Sequence, residues 1–404
     1  EVRGNMKAMD YYRNKKQLVP DVMAAYERLS EQYDIIVIEG AGSPAEINLH
    51  DNDIVNMGMA RMAKAPVLLV GDIDRGGVFA ALYGTVKLLP EDEQQMIKGL
   101  IVNKFRGDVK ILEPGLRMIE ERTGIPMVGV VPMEHLDIDD EDSLSDRLNQ
   151  TQKGAGIDVA VIHLPHISNF TDFSAFERMD GVSLRYVSQP GMLGDPDLIL
   201  LPGTKNTMDD CQWLRESGME ALILRQAEKK TPIIGICGGF QLLGEQMEDP
   251  HNVEHGGTMR GMGLLNTRTV FSEAKTRTQI RGVMEKGVGL WNNWQGKEVT
   301  GYEIHMGVTE NLGGCQELVR LEDGRVDALA NEDGSVMGSY LHIFDTDGFA
   351  EEMIRRLMKE KGMEFENWHF DLEAHKEQEY DKLADLVRSS FDMKKIYEIL
   401  EEGI

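Results

Sequence analysis

A repeated local pattern constrains this chain more than any other feature. It is a short, unbroken run of aliphatic residues that ends, in most instances, in a polar or glycine-rich turn. YDIIVIEGAG (33–42), APVLLVGDID (65–74), KGLIVNKFRGD (98–108) and IPMVGVVP (125–132) belong to it in the first part of the chain. GIDVAVIHLP (156–165), PDLILLPGT (196–204) and TPIIGICGG (231–239) repeat it further on. Strands apolar on both faces need cover on both faces, and helix-length segments such as 53–64, 113–123 and 208–229 supply it. The pattern predicts an α/β protein with two doubly wound domains built on parallel sheets. The acidic, polar stretch 137–156 reads as a linker, which places one domain over 1–150 and another over 157–404. After Gly256 the runs become shorter and glycine-punctuated, ending at GSVMGSYLHIF (334–344). Helices are also predicted over 240–246 and over the chain's end, where 381–404 has a clear 3.6-residue period.

Composition narrows the setting. The chain has 404 residues, enough for two or three domains of roughly 150 residues each. Its formal charge of -26 argues against a nucleic-acid partner, whose phosphates it would repel. No apolar run reaches the roughly 18 residues that span a bilayer, so no membrane partner is predicted. The cysteines, Cys211, Cys237 and Cys315, are three and widely spaced. Such a set points to a reducing compartment, the cytoplasm, and away from a disulfide framework.

Ligands in parallel sheets bind beyond the carboxyl ends of the strands. The sharpest corner at such an end is TPIIGICGGFQLLG (231–244), where a thiol stands between a strand and a helix. A strand-to-helix turn exposes its side chain, and Gly238 and Gly239 let a substrate approach the backbone amides. Cys237 is therefore the candidate nucleophile, with a buried structural cysteine as the competing reading. A nucleophile needs a base. His342, at a strand end in GSYLHIFD, is the candidate. GYEIHMG (301–307) alternates Tyr302, Glu303 and His305 with apolar residues, as a strand with one polar face does; His305 has no second ligand at metal-binding spacing.

These residues carry a resemblance. GICGGFQ followed far downstream by YLH is similar to the class I glutamine amidotransferase fold, which is flavodoxin-like. The ordered series VIEGAGSPAEINL, LVGDIDRGGVFAALYGT, LPHISNFTDF, LPGTKNT, GICGGFQLLG, GYEIHMG and YLHIFD more closely resembles the cobyric acid synthase family, glutamine-dependent amidases of cobalamin biosynthesis. The resemblance extends to the C-terminal YDKLADLVRSSFDMKKIYEI. It implies that Cys237 takes the amide of glutamine as a glutamyl thioester and that His342 is its base. It implies oxyanion-hole amides at Gly203 and Gly238. Many amidotransferases carry a Glu two residues after the histidine; here that position is Phe344. The family lacks this Glu, so a Cys–His dyad is implied, with Glu303 or Asp345 left as groups that orient the ring.

The first domain resembles the dethiobiotin-synthetase-like ATPase fold. That likeness implies ATP and Mg²⁺ as cofactors, Glu39 beside the metal and Asn103 on the adenine edge. Asp72, Asp74 and Arg75 are candidate substrate contacts, and Arg75, Lys104 and Arg106 are sources of local positive charge. The phosphate loop G-x-x-x-x-G-K-[ST] does not occur in the sequence. In the family it precedes the segment that begins here, so an N-terminally incomplete ATP site is expected. The substrates implied are glutamine and adenosylcobyrinic acid a,c-diamide, amidated at four side chains (b, d, e and g) by ammonia acting on an acyl phosphate. Carrying neutral ammonia along a dry path keeps it nucleophilic. The alternatives are cobyrinic acid a,c-diamide synthase, another class I glutaminase such as that of a peptidoglycan-precursor amidating complex, and a scaffold that has lost ATPase function.

Overall fold

A computed structural model describes residues 14–138, 156–346, 348–363 and 371–404. They fall into two compact units: residues 14–138 with 376–404, and residues 156–363 with 371–375. Most of the predicted linker lies outside the described residues.

The first unit is built on a parallel sheet of β1 (Val67–Asp72), β2 (Ile97–Phe105) and β3 (Met127–Pro132), in that order. Strand alternation separates its two cores. Leu100 and Val102 face one way, among Leu82, Val86, Leu116 and Ile119 of the helices Val78–Leu88 and Val109–Thr123. Ile101 faces the other way, with Val128 and Val131, against Ile399 and the partly buried Leu386, Phe391 and Ile396 of the C-terminal helices. Those helices, Leu372–Ser390 and Met393–Glu402, thus cover the first unit's sheet and correct the assignment of 376–404 to the second domain. Asp392 N–H donates to Val128 O at 2.8 Å, and Gly129 bridges to Phe391.

The run 33–42 does not form the predicted buried strand. It has no regular structure and takes part in no strand pairing among the described residues, and Val37 is 91 % exposed. An apolar run becomes a strand only when a neighbour takes its backbone hydrogen bonds, and β1 pairs only with β2 among the described residues. The helix predicted over 53–64 begins later, at Met57–Ala63, because Asp53 is spent as a cap: its carboxylate accepts from the amides of Val55, Asn56 and Gly58.

The second unit holds a mixed sheet. Its parallel part comprises β4 (Ile157–Ile162), β6 (Val182–Val187), β7 (Leu198–Leu201), β9 (Ile233–Ile236) and β16 (Val336–Ser339), in spatial order β16-β9-β7-β4-β6. Two short strands, β5 (Ile167–Ser168) and β8 (Gly203–Thr204), pair with each other apart from it. Beyond β16 the sheet continues through β15 (Val326–Ala330), β14 (Gln316–Leu321), β12 (Thr267–Met284), β10 (Gln246–Asp249) and β11 (Gly257–Arg260), with β13 (Glu298–Asn311) paired to β12. The unit is an α/β domain whose parallel part is continued by a mostly antiparallel extension. The strands after Gly256 include two of 18 and 14 residues, longer rather than shorter than those before. The predicted helix 208–229 is broken at Gly218, whose φ of 81° ends Thr207–Ser217 before Met219–Glu228 begins. The helix expected over 240–246 runs Gly238–Leu243.

Candidate active site

Cys237 occupies the first position after β9. Its backbone has φ 53° and ψ −110°, a conformation that costs a non-glycine residue about 1–3 kcal/mol. The surroundings impose it. Cys237 N–H donates to Ser339 O of the neighbouring β16 at 2.8 Å, and Cys237 O accepts from Gln241 N–H in the helix that follows. The glycines permit the fit: a Cβ on Gly239 would collide with the carbonyl oxygen of Leu201 in β7, and one on Gly238 would stand 2.5 Å from Thr204 Cγ2. Gly203 lies beside the sulfur's own residue; a Cβ there would come within 3.7 Å of Cys237 Cβ.

β9 and β16 run parallel and in register, Ile236 opposite Ser339. The chain leaving β16 thus carries His342 to the strand end that carries Cys237. Nδ1 of His342 lies 2.5 Å from Asp172 Oδ2. Nε2 is buried without a hydrogen bond of ordinary geometry. Burial alone pushes the imidazole's pKa down, but the Asp172 carboxylate and then Cys237 outweigh it and raise it to about 10. The thiol is 8 % exposed and donates to Ile304 O at 3.1 Å.

Asp172 is the residue that sequence reasoning missed. It lies in the 3-10 turn Phe170–Phe173, inside the block LPHISNFTDF, and 170 positions separate it from His342. Of the two groups expected to orient the ring, Glu303 is engaged elsewhere. Glu303 accepts both terminal nitrogens of Arg325, at 2.6 and 3.1 Å, and lies 3.5 Å from His305 Nε2. The side chain of Asp345 lies outside the described ones. The structure adds a carboxylate, Asp172, to the expected Cys–His pair by its bond to His342. Phe344, which stands where other amidotransferases place a Glu, packs edge-on against Phe173 and Phe176.

Residues behind the sulfur form a buried polar chain. Gln241 Nε2 donates to Tyr340 OH at 3.1 Å, Thr207 Oγ1 donates to Gln241 Oε1 at 2.9 Å, and Glu254 accepts from Met208 N–H at 3.0 Å with its other oxygen 3.3 Å from Thr207 Oγ1. Burial raises the Glu254 carboxyl to about 7 despite these donors. His305 stacks on Tyr340 with centroids 3.8 Å apart, and its Nδ1 lies 2.7 Å from Gly307 O.

In the first unit, the carboxyl edge of β1 and β2 gathers part of the expected set. Asp72 pairs with Asn103 in register and accepts from Lys104 Nζ at 3.0 Å; Asp74 accepts from Arg106 Nε at 3.0 Å. The hydrogen bond from Lys104 leads the causes that hold the Asp72 carboxyl low. Arg75 is exposed in the same turn. Glu39 is exposed on the unpaired run. Among the described residues no three His, Cys, Asp or Glu side chains gather as a metal would need. Mg²⁺ beside nucleotide phosphates needs only one or two protein carboxylates, so this does not weigh against it.

Comparison with known proteins agrees with this geometry. Residues 158–349 match the CobB/CobQ-like glutamine amidotransferase domain and residues 7–139 an AAA domain. The chain is 56 % identical to the cobyric acid synthase of Lachnoclostridium phytofermentans, with 100 % of this chain aligned to 82 % of that one. It is 53 % identical to the cobyric acid synthase of Ruminiclostridium cellulolyticum, over 99 % of this chain and 79 % of that one. The chain belongs to the cobyric acid synthase family. As a member it is a glutamine-hydrolysing amide-forming enzyme, with the Cys237 elbow and His342 both inside its matched amidotransferase domain. No helix among the described residues is long and apolar enough to cross a membrane.

Proposed function

We propose that this member of the cobyric acid synthase family amidates side-chain carboxylates of adenosylcobyrinic acid a,c-diamide, at positions b, d, e and g, with nitrogen from glutamine. ATP, held with Mg²⁺ by the first unit, would supply the activation of the acceptor carboxylate. One observation carries the glutaminase reading: a strained cysteine at the end of β9 beside a strand end that delivers a carboxylate-held histidine.

The chemistry follows from those groups. The reactive form is a Cys237 thiolate beside a His342 imidazolium; the bond to Ile304 O, which only a thiol can donate, belongs to the resting form. The sulfur attacks the carboxamide carbon of glutamine, and the C–N π-conjugation is lost as a tetrahedral oxyanion forms. The oxyanion hole is assigned to the amides of Gly203 and Gly238; the closeness of Gly203 to Cys237 supports this, as does the position of Gly238 as the first amide of its helix, which has no acceptor within the helix. His342 gives its proton to the departing nitrogen, ammonia leaves, and a glutamyl thioester remains. Water, deprotonated by the now neutral His342, cleaves the thioester to glutamate and restores the sulfur. Asp172 holds Nδ1 throughout, which keeps Nε2 as the transferring nitrogen. In the first unit, Arg75, Lys104 and Arg106, with Asp72, Asp74 and Asn103, form the charged edge proposed to meet the polyacidic acceptor and the nucleotide.

The test is glutamine hydrolysis by the purified chain, with Cys237→Ser beside it. Ammonia release that the substitution abolishes is the expected result. Equal release from both proteins would overturn the assignment of the nucleophile.

A further inference from the structure

We propose that Tyr302 is a positioning residue for His342: its ring fixes the plane of the imidazole and its hydroxyl fixes the carboxylate that holds Nδ1. The inference rests on the glutaminase reading above and adds a residue to it.

Tyr302 meets the catalytic pair in three separate ways. Its ring lies face to face with that of His342, centroids 4.2 Å apart and planes inclined by 10°. Its hydroxyl donates to Asp172 Oδ1 at 3.0 Å, the oxygen that His342 does not use. Its carbonyl accepts from His342 N–H at 2.9 Å. The hydroxyl is in turn held by Asn169 Nδ2 at 2.8 Å, from a residue with φ 54° three positions before Asp172.

Each contact removes a different freedom. A hydrogen bond at Nδ1 fixes one point of the imidazole but leaves the ring free to swing about that bond. The tyrosine face removes the swing, so Nε2 keeps one direction. The aromatic face also attracts an imidazolium more than a neutral ring. The hydroxyl, bonded to the carboxylate's second oxygen, prevents Asp172 from turning away. Among the described side chains, the groups that face His342 with charge or titrating protons are Asp172 from its 3-10 turn, Cys237 from the end of β9 and Tyr302 from β13. Glu303, next in β13, is engaged by Arg325. A tyrosine that merely filled space would need no alignment with the imidazole plane and no link to the carboxylate.

The experiment compares Tyr302→Phe and Tyr302→Ala in the full chain, with Cys237→Ser as control. It measures glutaminase kcat and KM against pH and follows the His342 ring titration by NMR of labelled histidine. Phe keeps the stack and loses the hydroxyl. We expect kcat to fall about 10-fold, the scale of one hydrogen bond to a charged group, with KM little changed and the His342 midpoint not lowered. Ala removes both contacts; kcat falls further and the midpoint moves down. Wild-type kcat and titration in Tyr302→Phe, or a loss confined to KM, would overturn the proposal even if Tyr302→Ala proves too unstable to assay. If Cys237→Ser retains glutaminase, the underlying reading fails instead.

Discussion

Asp172 changes what His342 is at neutral pH. An unperturbed imidazole titrates near ~6.5, whereas this one is raised to about 10 by the carboxylate and by Cys237, against the pull of burial. Replacing Asp172 with Asn keeps the shape and removes the charge. The His342 midpoint should then drop, and glutaminase kcat should fall by about 10²–10⁴, the range for a misoriented general acid–base. The same pair contributes to stability with a definite sign. Because the folded pKa is the higher one, its contribution is full below about pH 6.5 and disappears as pH rises through about 10. Denaturant midpoints of the wild-type and Asp172→Asn proteins should therefore differ at pH 6 and converge towards pH 10. A gap that widens with pH would show that the histidine is held neutral. Cys237 could be named from its glycine-rich corner, and His342 from its pairing with that thiol and from the family resemblance. Asp172 could not, because only the third dimension joins a 3-10 turn to a strand end 170 positions away.

The elbow shows why glycines in GICGG are not interchangeable with alanine. Gly239 lets the helix Gly238–Leu243 rest directly on the backbone of β7, where a Cβ would strike Leu201 O. Gly239→Ala should lower stability by about 1–3 kcal/mol, as overpacking in a rigid core does, and should weaken glutaminase by tilting the cysteine. Equilibrium unfolding and kcat check the two halves of that statement. The nearby Glu254 gives a second element-scale expectation. Burial dominates its pKa and lifts it to about 7, so ionisation is penalised in the folded state. Glu254→Gln should raise the thermal midpoint at pH 8, and the gain should fade as pH falls towards the ordinary carboxyl range near ~4.3. Most element types were readable from the strand-to-turn repeats, the run 33–42 excepted; their limits were not. Gly218 interrupts a helix whose periodicity continues across it, and Asp53 moves a helix start by taking backbone amides for itself.

At the scale of the whole chain, the C-terminal helices belong with the first unit by packing, although they follow the second in sequence. The reason lies in the strands. β2 is apolar towards both faces, and the helices Val78–Leu88 and Val109–Thr123 cover the face of Leu100 and Val102. Ile101, Val128 and Val131 need the other cover, and Leu386, Phe391, Ile396 and Ile399 provide it. Periodicity showed that 381–404 is an amphipathic helical stretch; which sheet it covers is a tertiary fact that no local pattern encodes. Ending the chain after His375 would expose those three side chains at about 1.5–3 kcal/mol each, a loss comparable to the roughly 5–15 kcal/mol that holds a domain together. The second unit keeps its own buried supports, including Arg185, which binds both oxygens of Asp158 and the carbonyls of Met192 and Leu193. Calorimetry of the shortened chain should therefore show one transition lost or strongly lowered and the other in place, with the His342 titration unchanged. A single transition shifted as a whole would mean that the two units unfold together and that the helices stabilise both.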